Sequence, residues 1–195
     1  MVVTPLLYLA LRASEADASS WDLMRGDTSV WKDRFFYKDV VGKSGQPVLD
    51  VGCGSGWATR LLADYAGKGR VTGIDISDEM VRLASESSQS YANVDFQTAS
   101  AEQLPFTDNE FTHAFSMESL YYYADIAKAL KEIHRVLKPG GLFVAVVDMY
   151  WESDATHQWI EMLNVPVQLL SIQDYRSLFE GAGFDNVRDE RLLDP

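Results

Sequence analysis

Short apolar runs that end in glycine or an acidic residue alternate along this chain with stretches whose apolar positions recur every three or four residues. Residues 47–51, 70–76, 94–98, 111–115 and 142–147 have the length and composition of strands, and the last is continuously apolar, as in a sheet covered on both faces. Ile126, Leu130, Ile133, Val136 and Leu137 trace one face of a helix. A second helix follows the glycines at 52–56 and runs to about 66, where Gly67-Lys68-Gly69 ends it. A third begins at a Ser77 cap with Asp78 and Glu79 in its first turn, and buries Met80, Val81, Leu83 and Ala84. Ser171 with Asp174 has the form of a capping box for a helix to about 180, closed by Gly181-Ala182-Gly183. Two more helices are expected near 4–13 and 28–40, and a last strand over 186–193.

Strands alternating with helices predict an α/β domain with a doubly wound, mostly parallel sheet and right-handed crossovers. Ligands then gather at the carboxyl ends of the strands. The polar exceptions fall there: Gly52 to Gly56, Asp75, Ser100 to Glu102 and Ser116 to Glu118.

At 195 residues the chain suits a single domain. We divide it into a helical cap or lid over 1–45, a core over 46–148 and an acceptor-side region with the last strand over 149–195. An apolar content of 47% argues against disorder. The net charge of −12 speaks against a nonspecific grip on nucleic acid, which depends on neutralising phosphates. A single cysteine, Cys53, rules out an intrachain disulfide and a cysteine zinc site, no metal is expected, and a cytoplasmic setting fits. The apolar stretch 5–11 is too short to span a bilayer, so no membrane insertion is expected.

The stretch Val48-Leu49-Asp50-Val51-Gly52-Cys53-Gly54-Ser55-Gly56-Trp57 is the most informative. Its spacing is G-x-G-x-G with Asp50 just ahead, not the dinucleotide G-x-G-x-x-G, and no phosphate-binding lysine follows. It resembles the S-adenosylmethionine loop of the class I methyltransferases. Further segments carry the same likeness in the same order: Val71 to Met80, Ala99 to Phe106, Phe111 to Leu120 and Leu137-Lys138-Pro139-Gly140-Gly141. Together they extend from about 46 to 148 and are most similar to small-molecule methyltransferases such as those of quinone biosynthesis. The resemblance implies a Rossmann-like methyltransferase fold with a shortened C-terminal part.

It also implies roles. Gly52, Cys53, Gly54 and Gly56 form the loop against the methionine part of S-adenosylmethionine, with Asp50 supporting the loop or bonding the amino group. Asp75 holds the ribose, Ile76 and Met80 flank adenine, Ser100 and Ala101 lie at its edge, and Ser116 lies near the sulfonium. The expected partner is a small-molecule acceptor. Glu118 and His157 are the candidate catalytic groups, with Tyr121 to Tyr123 as further acids or walls. Ser100 departs from the family, where aspartate is common. After Gly183 only 12 residues remain, too few for the family's closing hairpin. Either 186–193 therefore pairs beside the strand at 142–147, or a second copy in a homodimer covers that edge. Two alternatives stand beside methyl transfer. One is a non-catalytic cofactor-binding or scaffold member of the fold; the other is a nicotinamide-dependent oxidoreductase, which the glycine spacing opposes.

Overall fold

The computed structural model describes residues 2–4, 6–7, 45–153, 156–157, 160, 165–189 and 192–193. Its strands are β1 (Val2–Thr4), β2 (Leu6–Leu7), β3 (Val48–Val51), β4 (Val71–Asp75), β5 (Val94–Thr98), β6 (Phe111–Met117), β7 (Leu137–Val146), β8 (Arg188–Asp189) and β9 (Leu192–Leu193). The helices are α1 (Trp57–Ala66), α2 (Asp78–Ser87), α3 (Ile126–Val136) and α4 (Ile172–Gly181), with a 3-10 turn at Leu120–Tyr122. The main sheet runs β5-β4-β3-β6-β7-β1-β8 with every described pairing parallel. The order reverses between β3 and β6, so the switch point opens above the carboxyl end of β3, next to the glycine loop.

Strand alternation divides the core into two layers. Val48, Phe115, Val144 and Val146 face α1 with Ala58, Leu61, Leu62 and Ala66. Leu49, Val51, Ala114, Phe143 and Ala145 share the other layer with α3 and α4. There Ile126, Ala129, Leu130, Ile133 and Val136 are the buried face of α3. Phe143 stacks on Phe179 of α4 at 5.5 Å between ring centroids. Each such side chain contributes about 1.5–3 kcal/mol through burial. The two capping signals hold: Ser77 Oγ accepts from Met80 N, and Ser171 and Asp174 form the reciprocal box.

Three differences from the sequence expectations have physical causes. β7 starts at Leu137, directly after α3, because Lys138 to Gly141 bulge out where Gly140 takes φ 74° and the register with β6 shifts. The edge beside β7 is filled not by 186–193 but by Val2–Thr4, and among the described residues of the tail only β8 joins the main sheet, against β1. That edge is therefore covered within the chain. The helix expected at 4–13 is instead strand at Thr4, Leu6 and Leu7; the run Val2-Val3-Thr4 is β-branched and Pro5 interrupts any helical period. The remainder of 4–13 and the helix expected at 28–40 lie outside the described residues. Among those described, no helix is long and apolar enough to cross a membrane.

Candidate functional site

Asp50, one residue before the end of β3, lies on the α1 side of the sheet and is only 1% exposed. Its Oδ2 accepts from Thr59 Oγ1 at 2.6 Å, while its Oδ1 has no hydrogen-bond partner among the described residues. Burial, only partly offset by Thr59 and reinforced by the nearby Asp75, raises its pKa to about 7. An orphaned buried carboxylate oxygen is expensive unless a ligand completes it.

The loop that follows turns on left-handed glycines. A Cβ on Gly52 (φ 76°) would come within 2.5 Å of Ser119, so no other residue fits without moving the turn that follows β6. A Cβ on Gly54 (φ 51°) would meet nothing; this glycine leaves open space on the ligand side. Cys53 is 7% exposed, and burial pushes its thiol far above the ordinary range, so it fills the turn and is not a nucleophile.

Asp75, at the end of β4, is a clamp. Its Oδ2 accepts from Gly54 N at 2.9 Å and its Oδ1 from Ser77 N at 2.9 Å. Each oxygen keeps a lone pair for a further donor, which is the acceptor geometry a ribose diol requires. Ile76 beside it is 77% exposed, an apolar surface at the loop rim, and Met80 is half-buried behind it. Ser100 Oγ accepts from Glu102 N at 3.2 Å in the turn after β5, and Ala101 is buried next to it.

Ser116 is where the sequence placed it, at the end of β6, but its hydroxyl is turned inward. It bonds Ser119 Oγ at 2.6 Å; Ser119 Oγ donates to the Val51 carbonyl at 3.0 Å and contacts Tyr123 Oη at 2.8 Å. Tyr123 also donates to Val51 O, at 3.1 Å. This belt of hydroxyls ties the floor of the glycine loop to β6. Sequence reasoning missed Ser119 altogether; a serine three residues after another at a strand tip is only a faint signal.

A second group gathers beyond the tips of β6 and β7. Glu118 adopts φ 53°, a left-handed conformation costing a non-glycine residue about 1–2 kcal/mol. Its Oε2 accepts from Tyr121 Oη at 2.8 Å and from Asp148 N at 3.2 Å. Burial, then the adjacent Asp148 carboxyl, drives the pKa of Glu118 well above the usual carboxylate range. The same two carboxyls raise Tyr175, on α4, behind the larger effect of its burial. Asp148 and Tyr175 were also missed, although Asp148 follows a strand as Asp75 ends one. His157 is not brought into this group: it is exposed, its Nε2 donates to the Trp151 carbonyl at 2.8 Å, and its ring meets Trp151 edge-on. No cluster able to hold a metal ion occurs among the described residues.

A parallel sheet with its switch point at a G-x-G-x-G loop, and an acid clamping that loop from the next strand, define a nucleoside-cofactor fold of the methyltransferase type. The family model described as "Methyltransferase domain" matches residues 49–145. The chain is 32% identical to the demethylmenaquinone methyltransferase of Staphylococcus aureus, over 82% of this chain and 76% of that protein. It therefore belongs to the class I S-adenosylmethionine-dependent methyltransferases. Among solved structures, it is similar to the putative methyltransferase of Haloferax volcanii, seen in complex with the Trm112 methyltransferase activator. That match has 34% identity, covers 88% of this chain and 77% of that one, and has a TM-score of 0.70. An S-adenosylmethionine-dependent methyltransferase of Aquifex aeolicus matches at 27% identity over 87% of this chain and 89% of that one, with a TM-score of 0.66.

Proposed function

We propose that this chain binds S-adenosylmethionine along the carboxyl ends of β3, β4 and β5 and methylates a small-molecule acceptor held beyond the tips of β6 and β7. The observation that carries the proposal is the Asp75–Gly54 clamp. It pairs a carboxylate suited to a ribose with a glycine whose outer face is open. Asp50 Oδ1, buried and without a partner among the described residues, is the natural acceptor for the cofactor's ammonium group. Ile76 and Met80 would sandwich adenine, with Ser100 and Ala101 at its edge. When bound, the cofactor supplies a methyl group already activated on a sulfonium. The chain's own residues then have to orient the acceptor and exclude water; proximity and orientation contribute about 7–11 kcal/mol. We assign Glu118, held beyond the tip of β6, and not the outward-held His157, to receive a proton from the acceptor. In this proposal the protein works in the cytoplasm; the cap expected over 1–45 lies largely outside the described residues.

Isothermal titration with S-adenosylhomocysteine tests the proposal. The parent should bind it and ignore NADH. Asp75→Ala should weaken binding by about 1.5–3 kcal/mol, one to two decades. Unchanged affinity in that variant sinks the ribose assignment, and no binding by the folded parent sinks the proposal.

A further inference from the structure

We infer that the group beyond β6 and β7 is a recognition site for an organic ammonium, so that the acceptor is an amine that arrives protonated and yields a proton to Glu118. The inference rests on the methyl-transfer proposal and adds the acceptor's chemical class.

Glu118 from the tip of β6 meets Asp148 from just after β7, and Tyr175 of α4 lies near enough to feel the charge of both carboxyls. Two carboxyls held together in a half-buried place repel each other and favour a cation between them. Glu118 forms no ion pair with any described lysine, arginine or histidine. Tyr121 Oη and Asp148 N hold the Glu118 carboxyl in place, and its side chain also hydrogen-bonds the Asp148 carboxyl, so the pair at rest shares a proton that a bound ammonium would displace.

Tyr175 is the independent sign of a ligand. It is 2% exposed, yet its hydroxyl has no hydrogen-bond partner among the described residues, and it lies in the field of both carboxyls. A buried hydroxyl in that position is rare unless something completes it. Carboxylates accept only, and the phenol oxygen has lone pairs to offer, so the constellation calls for a ligand with several donors on one atom. An alcohol brings one donor; an ammonium brings up to three together with the matching charge. Tyr122, 46% exposed, lies in the field of the same two carboxyls, and a ring of this kind attracts a cation over its face.

The proton step balances simply. An N–H bond of the ammonium breaks with its electron pair remaining on nitrogen, and the proton passes to the Glu118 carboxylate. The neutral amine then has the lone pair that methylation requires.

The test titrates the full chain, saturated with S-adenosylhomocysteine, with benzylamine and 2-phenylethylamine against their neutral counterparts benzyl alcohol and 2-phenylethanol, read by calorimetry at pH 7.5. The amines should bind at least tenfold more tightly than the alcohols. Glu118→Gln should erase that preference while leaving S-adenosylhomocysteine affinity within twofold, and Tyr175→Phe should weaken the amines several-fold. If Glu118→Gln does not fold, Asp148→Asn takes its place, with the same loss expected. Equal affinity for amine and alcohol, no amine binding, or a preference that survives both carboxyl variants overturns the inference. A parent that binds S-adenosylhomocysteine but shows no amine preference refutes the amine alone; one that does not bind it refutes the methyl-transfer proposal instead.

Discussion

If Asp50 receives the cofactor's ammonium as proposed, cofactor binding is proton-coupled. The Asp50 pKa stands at about 7 in the folded chain against an ordinary 3.8, with burial the principal cause. Below about pH 4, folded and unfolded chains both hold this proton. Between about 4 and 7 the unfolded chain has released it and the folded chain has not, so stability falls as pH rises and levels off above about 7. The span is about three pH units, which corresponds to an upper bound of about 4 kcal/mol. A ligand ammonium at the orphan Oδ1 stabilises the ionised form and recovers part of that energy, so affinity should climb by up to about tenfold per pH unit across the same window. At pH 6 the free protein is mostly protonated at Asp50, and binding should release about 0.9 proton. Titration with S-adenosylhomocysteine at pH 6, in two buffers of different ionisation heat, measures this directly. Asp50→Asn should bind with almost no release. Heats independent of buffer in the parent, or equal release in the variant, would refute the pairing of Asp50 with the ammonium.

Two further outcomes follow from the loop and the adenine edge. Gly52→Ala adds a left-handed alanine and an overlap with Ser119 at 2.5 Å, together about 2–4 kcal/mol; thermal unfolding should fall by roughly 5–15 °C. Adding Ser119→Gly should restore part of it, and a parent-like melting temperature in the single variant would show that the loop is not pinned to β6. Ser100→Asp puts a carboxylate acceptor at the proposed adenine edge and should bind S-adenosylhomocysteine at least as tightly as the parent; a large loss with folding intact would mean that adenine lies elsewhere.

Local signals carried much of the fold. Ser77 and Ser171 could be read as caps because their partners, Met80 and Asp174, lie within one turn. Asp75 could be read as a ligand group because a strand end followed by a helix start is itself a local pattern. What depended on pairing between distant segments was hidden. Asp148 N reaches Glu118 across 30 residues of sequence, and nothing in either segment alone announces the other. The Asp75–Gly54 clamp spans 21 residues and was visible only as two separate motifs. The strand beside β7 was misplaced for the same reason: an apolar edge says that it needs a neighbour, not which segment supplies it. Ser116 was placed correctly on its strand, yet the direction of its hydroxyl depended on Ser119 and Tyr123.

The crossover from β5 to β6 contains no helix, and α3 does its work from a distance. Asp125 N, at the start of that helix, donates to Glu102 Oε1 at 2.9 Å. Near its end Glu132 accepts from Leu104 N, while Arg135 donates to the carbonyls of Leu104 and Phe106. The segment assigned to the adenine edge is thus stitched at both ends to one rigid rod whose buried face is part of the core. It behaves as a fixed jaw: its amides should open to solvent only when α3 itself opens, as one cooperative unit.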